Sequence, residues 1–146
     1  VPSATFFLLP QTDKAQQLDA ICAKIAALFR QHKNLRVYAA SQEQAEALDE
    51  ALWQTPADSF IPHQLSGEAK AGEAPVEITW EGCDSAPNPR AVLFNLAPQV
   101  PTNAQRYQQI YDIVPADDSG KQQARERYKH YRANGYQMQT LAIEEH

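Results

Sequence analysis

Residues 121–132, K-Q-Q-A-R-E-R-Y-K-H-Y-R, gather five of the chain's thirteen Lys and Arg residues against one acid, Glu126. At about 100° per residue, Lys121, Arg125, Tyr128 and Arg132 fall within about 60° of one another on a helix, which makes a cationic stripe with an aromatic ring in it. Guanidinium forks pair with carboxylates through parallel hydrogen bonds, and an aromatic wall receives an apolar group. The ligand that suits such a stripe carries negative charge and an apolar group together, as an acidic peptide tail ending in a free carboxylate does. A solvated amphipathic helix that serves solubility alone displays the same kind of charge run.

Other chemistry finds little support in the residues. The histidines, His32, His63, His130 and His146, have no paired spacing that suggests a metal site or a catalytic motif. Cys22 and Cys83 belong to no C-x-x-C or Cys/His spacing that would hold zinc; Cys22 sits in an apolar helical pattern and reads as a buried small hydrophobe. Asp49 and Glu50 adjoin on a helix and point about 100° apart, so they read as a solvated face rather than an acid/base pair. Neither G-x-G-x-x-G nor G-x-x-x-x-G-K-[ST] occurs, and the first strand-to-helix turn, P-Q-T-D at 10–13, has no glycine with which to cradle phosphate. No catalytic residue, cofactor or metal is expected.

The elements that must position the stripe follow from periodicity. Residues 4–9 form an apolar, β-prone run ended by Pro10, and Asp13 caps a helix whose Leu18, Ile21, Cys22, Ile25, Ala26 and Phe29 recur at three- and four-residue steps. Residues 35–40 form a second strand. Ser41 caps a second helix, with Gln44 placed to reach back to the Ser41 N–H in a capping box. Residues 55–75 read as a loop. Strands follow at 76–80, 91–96 and 110–114, with a short helix over 104–109. The cationic helix starts near Ser119 behind Asp117 and Asp118, whose charges suit its N-terminus; Gly135 stops it, and 136–142 is a last strand. Strands alternating with helices predict a three-layer α/β domain spanning residues 1–146. Its mostly parallel sheet carries helices on both faces, in a Rossmann-like topology without a nucleotide-binding loop.

Bulk properties narrow the function. A chain of 146 residues with 43% hydrophobic content supports a core without disulfides or metals. The formal net charge of −5 argues against general nucleic-acid binding, which requires neutralising many phosphates. Apolar stretches fall far short of the roughly 18 residues a membrane span requires. No secretory leader is visible, and the cysteine usage suits a reducing cytoplasm. A second patch stands out at residues 48–63, where Trp53 ends a helix and Phe60 follows among prolines. Both rings suit an interface, or equally a place in the domain's own core.

Four long strings then identify a resemblance: L-D-E-A-L-W (48–53), S-F-I-P-H (59–63), G-E-A-P-V-E-I-T-W (72–80) and A-R-E-R-Y-K-x-Y-R (124–132). Over nearly its whole length, from residue 4 to about residue 140, the chain resembles the chi subunit of bacterial DNA polymerase III holoenzyme. Residues 81–90 and the acidic ending 143–146 depart from that pattern.

The resemblance implies a cytoplasmic, non-enzymatic accessory subunit of the clamp loader. Such a subunit pairs with the psi subunit and binds the acidic C-terminal tail of single-stranded-DNA-binding protein. Carried over by position, the tail site comprises Lys121, Arg125 and Tyr128 with Val114 beside them, and the psi-facing surface comprises Trp53 and Phe60. The resemblance also implies that a repair helicase can take the psi surface in psi's place. Two alternatives compete: a direct single-strand binder, which needs a basic groove with stacking aromatics, and a nucleotide-dependent enzyme on the same fold.

Overall fold

In a computed structural model, residues 2–10, 13–54, 63–65, 75–80, 91–101 and 104–143 are described. Chain order is β1 (Ser3–Leu8), α1 (Lys14–His32), β2 (Leu35–Ala39), α2 (Gln42–Trp53), β3 (His63–Leu65), β4 (Val76–Trp80), β5 (Val92–Asn95), a 3-10 turn at Ala104–Arg106, β6 (Gln109–Val114), α3 (Asp118–Ala133) and β7 (Gln137–Ala142). The strands form one seven-stranded sheet in the order β3-β4-β2-β5-β6-β1-β7. Every pairing is parallel. The expected three-layer α/β architecture is therefore present.

Period-2 alternation sorts the strand side chains onto two faces. Phe7, Val37, Ile78, Phe94, Tyr111 and Ile113 join the inner faces of α1 and α2 in one apolar cluster. Ala4, Phe6, Leu93 and Ile110 meet Ala124, Tyr131 and Tyr136 in a second cluster under α3. Central strands covered on both sides explain the nearly continuous apolar runs in β1, β5 and β6. Cys22 lies in the first cluster, 3% exposed, where burial first and the Asp19 charge second push its thiol up to about 11. It packs there as a small hydrophobe.

Local chemistry sets the helix ends. Asp13 accepts from the Gln16 N–H at 2.8 Å and opens α1. Ser41 accepts from the Gln44 N–H at 3.2 Å, but the Gln44 side chain accepts from the Ala40 N–H at 2.6 Å rather than from that of Ser41. The capping box is thus shifted by one residue, its return bond made to the N–H before the extended Ser41. Helix α3 ends in a Schellman motif: the Tyr136 N–H donates to the Tyr131 carbonyl and the Gly135 N–H to that of Arg132, both at 3.2 Å, with Gly135 at φ +88°.

Two other expectations need correction. Within the segment read as a loop over 55–75, His63–Leu65 pairs with Val76, Glu77 and Ile78 as an outer strand, too short to display a period of its own. The helix expected over 104–109 is a single 3-10 turn, because Gln109 is recruited into β6 opposite Ser3 and Val92. Phe60, Cys83 and the rest of residues 81–90 lie outside the described residues.

Gly120, in the first turn of α3, lies against Pro115; an added Cβ would come within 2.5 Å of the Pro115 Cβ and 2.8 Å of an Asp117 carboxylate oxygen. Alanine is normally worth about 1 kcal/mol over glycine in a helix, whereas overpacking costs about 1–3 kcal/mol. Gly120→Ala is therefore expected to lower the unfolding free energy by up to about 2 kcal/mol, read from urea melts; a rise would refute the close packing of α3 on Pro115.

Candidate peptide-binding groove

The site begins with the phase of α3. Its buried positions are Gly120, Ala124, Arg127 and Tyr131, spaced by four, three and four residues. One of these inward positions is a cation, and β6 supplies its counter-charge from Asp112, which is fully buried. Arg127 Nε lies 3.2 and 3.0 Å from the two Asp112 carboxylate oxygens. Its remaining nitrogens donate to the carbonyls of Pro98 at 2.7 Å and Ile113 at 2.9 Å.

Asp112 also accepts from the Ile113 N–H at 2.7 Å, the Tyr131 hydroxyl at 2.9 Å and Asn95 Nδ2 at 3.2 Å. Every one of these contacts is a donor, which suits an ionised carboxylate. Burial pushes the Asp112 carboxyl up from its ordinary value, and Arg127, the Ile113 N–H and Tyr131 pull it back. Burial and then the Asp112 charge likewise push the Tyr131 phenol up.

With Arg127 turned inward, the next face of α3 overhangs the carboxyl ends of β1 and β6. A groove of about 420 Å³ opens there, lined by Leu8 and Val114 from the strands, by Thr140 of β7, and by Lys121, Arg125, Tyr128, Lys129 and Arg132 from the helix. Lys121, Arg125, Tyr128 and Val114, the four residues singled out from the sequence, thus meet in one groove. Leu8 and Val114 are direct neighbours in the parallel ladder, and Leu8 is 44% exposed, an apolar floor open to water.

The Tyr128 ring is held from below by Phe6, with centroids 5.6 Å apart, and Phe6 in turn lies 5.8 Å from Tyr131. Arg132 lies over the Tyr128 ring, its guanidinium carbon 5.8 Å from the ring centroid. Lys129 pairs with Glu126 at 3.6 Å, both well exposed. Among the described residues, Lys121, Arg125 and Arg132 have no carboxylate partner. The groove therefore presents uncompensated positive charge beside an apolar trough, which can take a carboxylate and an apolar side chain together.

Leu8, Thr140 and the inward role of Arg127 were not read from the sequence. The phase of α3 and the lone acid of β6 were the available signals for Arg127.

The second patch has a different character. Trp53, at the end of α2, is 60% exposed, and its ring contacts that of His63 with centroids 4.7 Å apart. His63 Nε2 lies 3.2 Å from the Asp49 carbonyl and 3.3 Å from an Asp49 carboxylate oxygen. Asp49 is thus no mere member of a solvated face: it tethers β3 to α2. Phe60 lies outside the described residues. No group of three or more His, Cys, Asp or Glu able to hold a metal occurs among the described residues, and no helix of the structure is long and apolar enough to cross a membrane.

Comparison with known proteins places the chain in a family. The family model described as "DNA polymerase III chi subunit, HolC" matches residues 1–139. The chain is 40% identical over 142 residues to DNA polymerase III subunit chi of Escherichia coli strain K12, covering 94% of this chain and 96% of that one. It is 37% identical over 138 residues to the corresponding subunit of Haemophilus influenzae, covering 94% and 95%. Among solved structures it is similar in fold alone to the C-terminal domain of S. cerevisiae Dbp5, with TM-score 0.62, 11% identity, and coverage of 99% of this chain and 92% of that one.

The two arginines of the run, Arg125 and Arg127, should separate in a stability measurement. Removing one partner of a buried ion pair costs about 3–5 kcal/mol, so Arg127→Ala is expected to lose that much in urea unfolding. Arg125→Ala, at an exposed helix position, should stay within about 0.5 kcal/mol of the parent.

Proposed function

The chain belongs to the DNA polymerase III chi-subunit family, and from that premise we propose that it is a cytoplasmic, non-enzymatic adaptor of the bacterial clamp loader. One surface binds the acidic C-terminal tail of single-stranded-DNA-binding protein, and the other binds the psi subunit. The observation that carries the reading is the groove in which Lys121, Arg125, Tyr128 and Val114 converge.

The chemistry of capture follows from those residues. Arg125 forks onto the terminal carboxylate of the tail, a charge-assisted contact worth about 1.5–3 kcal/mol. Tyr128, Val114 and Leu8 wall the terminal aromatic ring, and Lys121 attracts the aspartates upstream. A volume of about 420 Å³ lies within the usual range of small-ligand pockets, so the groove suits the last residues of a tail rather than a long segment. Because Phe6 seats the Tyr128 ring from the core side, little rotamer freedom is lost on binding. The psi-facing surface is centred on Trp53 together with Phe60, and a repair helicase can occupy it in place of psi. The net charge of −5 supports the adaptor over direct binding to single-stranded nucleic acid.

Fluorescence anisotropy with a labelled acidic peptide ending in Ile-Pro-Phe tests the tail site. Saturable binding is expected with the free carboxylate and its loss with the C-terminal amide; equal binding of both would remove Arg125 from the carboxylate. In calorimetry Arg125→Ala should weaken the free-acid peptide about tenfold or more, and an unchanged affinity sinks the assignment. Affinity should also fall as salt rises, because exposed charges are screened over about 8 Å at physiological ionic strength. A salt-independent affinity would count against the cationic stripe.

A further inference from the structure

Helix α2 carries Glu43, Glu46, Asp49 and Glu50 and no Lys or Arg. At 100° per residue, Glu46, Glu50 and Trp53 fall within about 60° of one another, so two carboxylates and the exposed indole form one stripe. Glu46 and Glu50 are exposed, and their contacts are with neutral amides: Gln42 Nε2 at 3.5 Å and Gln54 Nε2 at 3.4 Å. Neither takes part in an ion pair among the described residues. Asp49 is engaged by His63, which keeps it out of the stripe's free charge.

The helix itself gives no reason for this arrangement. Glu50 lies in the C-terminal half, where the helix dipole disfavours negative charge, and the last turn holds no basic residue. An exposed indole beside uncompensated carboxylates is complementary to a cation that stacks on the ring face while pairing with the acids.

We infer that the Glu46-Glu50-Trp53 stripe docks a basic segment of the psi subunit, one presenting Lys or Arg next to an apolar side chain. This rests on the reading of Trp53 as psi-facing and adds the charge of what it meets. Rim charges act mainly on the rate of encounter, and a buried aromatic anchor acts on the rate of escape. The two acids therefore steer and Trp53 holds.

The experiment is stopped-flow association and dissociation of the purified psi subunit with the full chain at several salt concentrations. It compares the parent, Glu46→Gln/Glu50→Gln, Trp53→Ala and, as an acid removed from the opposite face of the sheet, Glu126→Gln. Folding of each variant is checked by circular dichroism. The double variant is expected to associate about fivefold more slowly, with a flatter salt dependence and a nearly unchanged dissociation rate, while Glu126→Gln behaves as the parent. Trp53→Ala should mainly accelerate dissociation.

Parent-like association and salt dependence in the double variant, with Trp53→Ala still weakening the complex, would overturn the inference and leave the psi surface standing. Faster association would overturn it by showing an acidic partner. Parent-like binding by Trp53→Ala would instead remove the reading on which it rests. A concentration-dependent dimer of the chain alone, lost in the double variant during sedimentation, would assign the stripe to a second copy and likewise overturn it.

Discussion

The ion pair between Arg127 and Asp112 fixes how the rest of the cationic helix meets the sheet. Two charges taken out of water are tolerated only when their hydrogen-bonding capacity is filled, and here Asn95, Tyr131, the Ile113 N–H and the Pro98 and Ile113 carbonyls fill it. Those partners come from β5, β6, α3 and the segment after β5. The pair therefore sets both the rotation and the height of α3 over β6. An apolar residue at 127 would fit many rotations of the helix; a guanidinium with these partners fits one. That rotation determines which side chains face the carboxyl ends of β1 and β6.

A second buried pair plays a comparable part on the outer half of the sheet. Arg36 of β2 and Glu77 of β4 meet at 2.9 Å, and Arg36 also donates to the Tyr107 hydroxyl at 2.9 Å. The link ties two neighbouring strands to the residue just after the 3-10 turn, and thereby to the entry into β6. Both pairs lie on the face of the sheet that α3 partly covers. On the other face, beneath α1 and α2, the cluster is almost wholly apolar. The two faces thus differ: beneath α3 fitted polar networks are set into an apolar cluster, whereas beneath α1 and α2 hydrophobic packing dominates.

How much of this was legible depends on whether the relevant partner lay nearby in the sequence. Capping by Asp13 and Ser41 and the stop at Gly135 are written within a few residues and are legible in place; Asp117, read only as a charge suited to the helix N-terminus, in fact caps α3 by accepting from the Gly120 N–H at 2.8 Å. The stripe of Lys121, Arg125 and Tyr128 was readable because helical phase is local. Arg127 was not, since its meaning depends on Asp112, fifteen positions away on another element; a count of charges cannot tell an inward cation from an outward one. Asp49 escaped for the same reason, its partner His63 being in a strand three residues long. Leu8 closed the groove from a strand whose apolar run looked uniformly buried, and only the end of the β1–β6 ladder exposes it. Trp53 is legible as a ring at the end of α2, but its 60% exposure depends on packing that no local pattern records.

The clusters under α1 and α2 and under α3 lie on opposite sides of one sheet, so the acidic helix and the cationic groove face away from each other. Sites placed back to back do not compete for space. With the two proposed surfaces so arranged, one partner can act as a leash while the other is released and recaptured. Each recapture is then an event within one assembly, governed by effective concentration rather than by the concentration of free molecules. Weak individual contacts are sufficient under that arrangement, and their weakness permits rapid exchange. Geometry of this kind favours a connector that lets go often without drifting away.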